Sequence, residues 1–150
     1  MVTPQTLGQI ELFAGLGEDA LAPLAALAEE IACKEGEVLF KEGGPATRLF
    51  VLLEGKVAIQ VMLTSRPESL TVAALNQPGQ LVGWSGSMPP NTYTASAVCQ
   101  ADSRLLAFDG SAFMHALEAN PVAGFIIMRR IAAVISGRLR NIQGVVLKTL

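Results

Sequence analysis

A chain of 150 residues, 51% of them hydrophobic, can bury roughly 70% of the surface its unfolded form exposes, so one domain needs no staple and intrinsic disorder is excluded. A net charge of −2 argues against broad nucleic-acid affinity, which depends on clustered Lys and Arg. The richest apolar stretch, residues 122–139, is broken by Arg129, Arg130 and Arg138, so nothing matches a spanning helix of ~18 or more uncharged residues.

The chain starts Met1-Val2-Thr3-Pro4-Gln5, without the basic start and apolar run of an export signal, and the expected location is the cytoplasm. Leu21, Leu24, Leu27, Ala28 and Ile31 recur at helical spacing, with Glu18 and Asp19 where negative charge suits the helix dipole. A helix is predicted over 18–32, after a turn through Leu12, Phe13, Ala14, Gly15 and Leu16.

From 33 to 109 the texture changes to short apolar runs punctuated by Gly, Pro and Asn. Strands are expected at 38–40, 48–53, 56–63, 69–75, 80–83, 93–99 and 103–108. Gly43, Gly44, Gly55 and Gly79 lie between them, at turns that often require positive φ. So many short strands imply a sandwich, barrel or jelly roll. Cys33 and Cys99 stand apart, neither in a CxxC pair, and are expected to be buried free thiols with no metal site.

Helical periodicity returns over 111–147, with Ser111 as the predicted cap and a second helix starting at Asn120-Pro121. In that second helix Phe125, Ala132, Leu139 and Val146 occupy one heptad position, and Met128, Ile135 and Ile142 the other. This is coiled-coil spacing, and the expected partner is the same helix of a second subunit. Gly137 and Gly144 each lower helicity by about 1 kcal/mol relative to Ala, so packing must hold the helix. Ile126, Ile127, Ile131, Val134 and Val145 lie off the seam; the helix is apolar on enough sides to face both its own roll and a partner.

Enzyme signatures are missing: no GxSxG, P-loop or GxGxxG run occurs, and His115 is the single histidine. A haem sensor would need an axial ligand, for which His115, Cys33 and Cys99 are bare nominations. The chain is read as a non-enzyme.

Four segments read Leu12-Phe13-Ala14-Gly15-Leu16, Gly36-Glu37-Val38-Leu39-Phe40-Lys41-Glu42-Gly43, Leu49-Phe50-Val51-Leu52-Leu53-Glu54-Gly55-Lys56-Val57 and Pro78-Gly79-Gln80-Leu81-Val82-Gly83. Together with the flanking helices they resemble the cyclic nucleotide-binding domain of Crp/Fnr-type regulators. The resemblance implies a mainly β protein, a single domain over 1–150. A β-roll (double-stranded jelly roll) at about 33–109 would carry an N-terminal helix and a long C-terminal dimerisation helix. It implies a homodimeric regulatory module in signal transduction, with a regulatory protein as a further partner. Family transcription factors carry a helix-turn-helix after the long helix, whereas this sequence ends at Leu150; no direct nucleic-acid binding is expected of it.

The family's phosphate-binding cassette reads Gly-Glu, a short helical turn, then Arg-Ser-Ala or Arg-Thr-Ala. Here Trp84 stands at the glutamate position and Tyr93 at the arginine position, in a stretch from Gly83 to Ala95 without a charge. Arg66 and Arg104 fall outside it, so no cation is expected to compensate. A charge-assisted hydrogen bond contributes about 1.5–3 kcal/mol, so cyclic nucleotide is the less expected ligand. The resemblance marks Gly83, Trp84, Ser85, Gly86, Ser87, Tyr93, Thr94 and Ala95 as the candidate binding residues, with Gln143 of the long helix as an addition. Two readings stay open. The aromatic pair and the hydroxyls of Ser85, Ser87, Tyr93 and Thr94 would orient an unidentified small molecule, or Trp84, Tyr93 and Met88 would fill the pocket of a ligand-free dimeric scaffold.

Overall fold

The computed structural model describes residues 2–63 and 68–149, with side chains as far as residue 145. A short α1 (Pro4–Leu7), capped by the Thr3 side chain, and a 3-10 turn (Glu11–Phe13) lead into α2 (Glu18–Leu27). The helix predicted over 18–32 stops early. Ala28 adopts an extended conformation, and Glu29–Cys33 forms strand β1, so the roll begins at Glu29 rather than at residue 33. The cause is tertiary: β1 pairs antiparallel with β8 (Ser103–Asp109), where Arg104 bridges Glu30 and Glu54.

Between these lie β2 (Val38–Phe40), β3 (Arg48–Glu54), β4 (Val57–Met62), β5 (Ser69–Leu75), β6 (Leu81–Val82) and β7 (Ser96–Cys99). Two four-stranded antiparallel sheets result, ordered β1-β8-β3-β6 and β2-β7-β4-β5. The expected β-roll with flanking helices is therefore the observed architecture. The run Leu49-Phe50-Val51-Leu52 is buried throughout because β3 is covered on both faces. Phe50 and Leu52 join Val57, Val82, Ala97 and Leu105 between the sheets, while Leu49 and Val51 meet Phe13, Phe113, Ile127 and Ile131 under the helices.

Cys33 and Cys99 are free and buried in the inter-sheet core. Burial, reinforced by the neighbouring Cys99, pushes the Cys33 thiol up to about 12, so it stays protonated and unreactive.

β8 runs directly into α3 (Gly110–Ala119). The cap is Asp109 rather than the predicted Ser111: its carboxylate accepts from the Ala112 N–H at 2.9 Å. Position 110 demands glycine, because a Cβ there would lie 1.8 Å from the Gly86 carbonyl oxygen. After Asn120 comes α4 (Pro121–Thr149). Among the described residues, no helix is long and apolar enough to cross a membrane.

The expected α4 seam divides. Met128 and Ile135 lean on the core beneath the helices and Ile142 on the inter-sheet core, whereas Phe125, Ala132 and Leu139 face outward. Val146 lies outside the described side chains.

Gly110→Ala should destabilise the fold by about 1–3 kcal/mol through overpacking. Gly137, whose would-be Cβ meets nothing within 4 Å inside α4, is the control: Gly137→Ala should gain up to about 1 kcal/mol. Thermal melts followed by circular dichroism should shift in opposite directions.

Candidate functional site

Strand β6 ends at Gly83, whose φ of +76° turns the chain into a 3-10 turn, Trp84–Ser87. A Cβ at Gly83 would also press on Phe40 at 2.9 Å, so the glycine serves both the left-handed backbone and a close approach. The turn is held from within: the Ser87 hydroxyl donates to the Trp84 carbonyl at 2.7 Å, and the Asn91 amide to the Ser85 carbonyl at 3.2 Å. Gly86 is packed against β3, where a Cβ would lie 2.3 Å from the Arg48 carbonyl oxygen.

Tyr93 lies almost flat on Phe40, ring centroids 3.8 Å apart at 11°, and Phe40 stacks in turn on Phe50 at 6.0 Å. The Tyr93 hydroxyl donates to the Arg48 carbonyl at 2.7 Å. Burial raises the Tyr93 pKa above its ordinary 10.0, keeping the phenol a neutral donor. The polar tip is thus satisfied inside the chain instead of being offered to a ligand.

Gly83, Trp84, Ser85, Tyr93, Thr94 and Ala95 come together around one cavity, which measures only about 20 Å³. That is about the room one water needs. Gly86 and Ser87 do not line it; both are buried and serve the turn's own packing. Met88 packs on the helical side of the core, not in the cavity. Gln143 is exposed on α4 and does not reach the cavity either.

One expectation is overturned by packing, since the cassette does have a cation beside it. Arg138 of α4 lines the cavity, 9% exposed, with its Nη2 donating to the Leu81 carbonyl at 2.5 Å and its guanidinium 5.5 Å over the Trp84 ring. Burial draws its pKa down to about 10, which leaves it charged at neutral pH. A signal was present in the sequence. Arg138 falls seven residues after Ile131 and four after Val134, on the apolar stripe that faces the roll. Arg104 sits elsewhere, paired with Glu30 and Glu54, and Arg66 lies outside the described residues.

The model of the cyclic nucleotide-binding domain matches residues 30–120. The chain belongs to the cyclic nucleotide-binding domain family. A structure named as a cyclic nucleotide-binding protein of Geobacter metallireducens is 32% identical, with a TM-score of 0.79 over 93% of this chain and 99% of that one. The catabolite activator protein of Thermus thermophilus is 25% identical, with a TM-score of 0.71 over 86% of this chain and 58% of that one. A CRP-like cAMP-activated global transcriptional regulator of Mycobacterium tuberculosis is 25% identical over 137 residues, 91% of this chain. The chain spans 58% of the length of that regulator. At the cassette of this chain stand the Tyr93–Phe40 stack, Trp84 and the inward Arg138.

Tyr93→Phe keeps the stack but leaves the Arg48 carbonyl without its donor. The expected cost is about 1 kcal/mol, read as a lower midpoint in urea with an unchanged slope.

Proposed function

We propose that this chain is a regulatory module of the cyclic nucleotide-binding family whose cassette is closed by its own side chains and does not take cAMP in the family's manner. The observation that carries this reading is the cavity of about 20 Å³, far below the ~300–1,000 Å³ of small-molecule sites. Two chemical facts support it. Trp84 offers no acceptor for a ribose hydroxyl, and the Tyr93 hydroxyl is committed to Arg48. The M. tuberculosis relative is named as a cAMP-activated transcriptional regulator. This chain is read as sharing the regulatory role without that activation, as a non-enzymatic, cytoplasmic module. His115, the single histidine, is exposed on α3, and among the described residues no group of three or more His, Cys, Asp or Glu could hold a metal.

Thermal melts with and without cAMP or cGMP test the closed cassette. A ligand at 100 times its Kd raises stability by ≈ 2.7 kcal/mol, an easily read shift. The expected result is no shift at millimolar nucleotide; a clear upward shift at micromolar cAMP would refute the proposal.

The module works as a homodimer through α4, with a regulatory protein as its further partner. Phe125 and Leu139, 65% and 55% exposed, lie two heptads apart with Ala132 between them, and such a stripe is costly to leave in water. Sedimentation at tens of micromolar (about tenfold above a Kd of 1 μM or more, −8.2 kcal/mol) should show a dimer. Phe125→Glu combined with Leu139→Glu places like charges in the seam and should give a folded monomer. A monomeric parent protein would rule the α4 dimer out.

A further inference from the structure

A second and much larger space lies outside the cassette. A groove of about 800 Å³ runs between α4 and the turn before β6, within the ~300–1,000 Å³ range of small-molecule sites. Its α4 wall carries Arg130, Gly137 and Asn141. At 3.6 residues per turn these lie on the flank roughly opposite Phe125, Ala132 and Leu139, so a second subunit on the seam leaves the groove open.

Two guanidinium groups, of Arg130 and Arg138, line the groove against the one carboxylate of Glu11, beside the amides of Gln77, Gln80 and Asn141. Arg138, nine-tenths buried, stands between the groove and the cassette cavity, lining both. The ion pairs among the described residues belong to Arg104, so Arg138 is a buried cation without a carboxylate. Its carbonyl partner, Leu81, uses one nitrogen of a group that carries five N–H donors. Arg130 is held in the wall by Nη1, which donates to the carbonyls of Glu11, Leu12 and Ala14 at 3.1, 3.2 and 2.8 Å. The Gln80 side-chain oxygen accepts from the Asn76 and Gln77 N–H groups, which leaves its amide NH₂ as a donor. Glu11 is an exposed carboxylate on the rim, outweighed by two guanidinium groups. Leu12, Pro78, Leu81 and Val134 supply apolar surface between them.

We propose that this groove binds a small organic anion, a carboxylate or phosphate carried on an apolar body, whose charged group pairs with Arg138. A planar guanidinium matches the two oxygens of either headgroup, and low exposure strengthens the pair relative to one in water. The proposal does not depend on the cassette being closed, and a cAMP titration reads that separately.

The experiment uses the sole tryptophan. Trp84 is the single Trp of the chain and lies under Arg138, so its emission reports any ligand that engages the guanidinium. The probes are octanoate and octyl phosphate, with octanol as the uncharged control and inorganic phosphate as the charge-only control, each followed by Trp84 fluorescence and calorimetry. Saturable binding of octanoate or octyl phosphate, with octanol and inorganic phosphate each at least about tenfold weaker, is expected from one charge-assisted pair on an apolar body. The tighter of the two anions identifies the headgroup. Arg138→Met should weaken that anion by about tenfold or more. If that variant melts abnormally, Ala133→Phe carries the test by calorimetry, because it fills the groove from an exposed position on its wall and should abolish binding with Arg138 intact. The proposal is overturned if neither anion binds at millimolar concentration or if octanol or inorganic phosphate binds equally well. Unchanged binding in folded Arg138→Met or in Ala133→Phe overturns it as well.

Discussion

A charged side chain withdrawn from water must be met by acceptors or a π face, because leaving it without them costs several kcal/mol. Arg138 sets this condition for the domain. Its guanidinium meets the Leu81 carbonyl through one nitrogen and the Trp84 ring, groups that stand on either side of the left-handed Gly83. One contact therefore links the end of β6, the cassette turn and the middle of α4. It also sets the rotation of the helix about its own axis. With Ile127, Ile131 and Arg138 turned inward, Phe125 and Leu139 have to point out, and Arg130 has to face the 3-10 turn at Glu11–Phe13.

The closed cassette follows from a different balance. An arginine at position 93 would place a second cation at the cavity that Arg138 lines, whereas tyrosine needs only an apolar bed and one acceptor. Phe40 supplies the bed and the Arg48 carbonyl the acceptor. Aromatic pairs contribute ≈ 0.5–1.5 kcal/mol beyond the area they bury, so the stack holds Tyr93 in place beside the cavity. The family fold is kept around a cavity of about 20 Å³.

The two devices meet at Trp84. From the cassette side it lines the small cavity, and from the helix side it carries the Arg138 cation. A change in what Arg138 touches in the groove is therefore felt at Trp84. The cassette and the groove share a wall, and the exposed apolar stripe of Phe125 and Leu139 lies on the far side of the same helix.

Much of this was legible in the residue order, and the exceptions have physical causes. Alternating apolar runs and turn glycines located the strands of the roll, because side chains in a half-buried strand repeat every two residues and positive φ restricts turns to few residue types. The heptads of α4 and the Trp84 and Tyr93 replacements were equally visible. Residues 29–32 read as helix, however, since Ile31 continued the apolar spacing from Leu27; only pairing with β8 made them part of a strand. Ser111 read as the cap until the direct junction of β8 and α3 gave that place to Asp109. By itself, then, the sequence determined the family, the roll, the missing cassette charges and an apolar long helix, all of which depend on local periodicity and residue type. The tertiary structure alone decided that Tyr93 spends its hydroxyl on Arg48, that Arg138 crosses to Trp84 and that a groove opens beside α4. Each of these joins atoms from segments 45 or more residues apart, and no local pattern encodes where such segments meet.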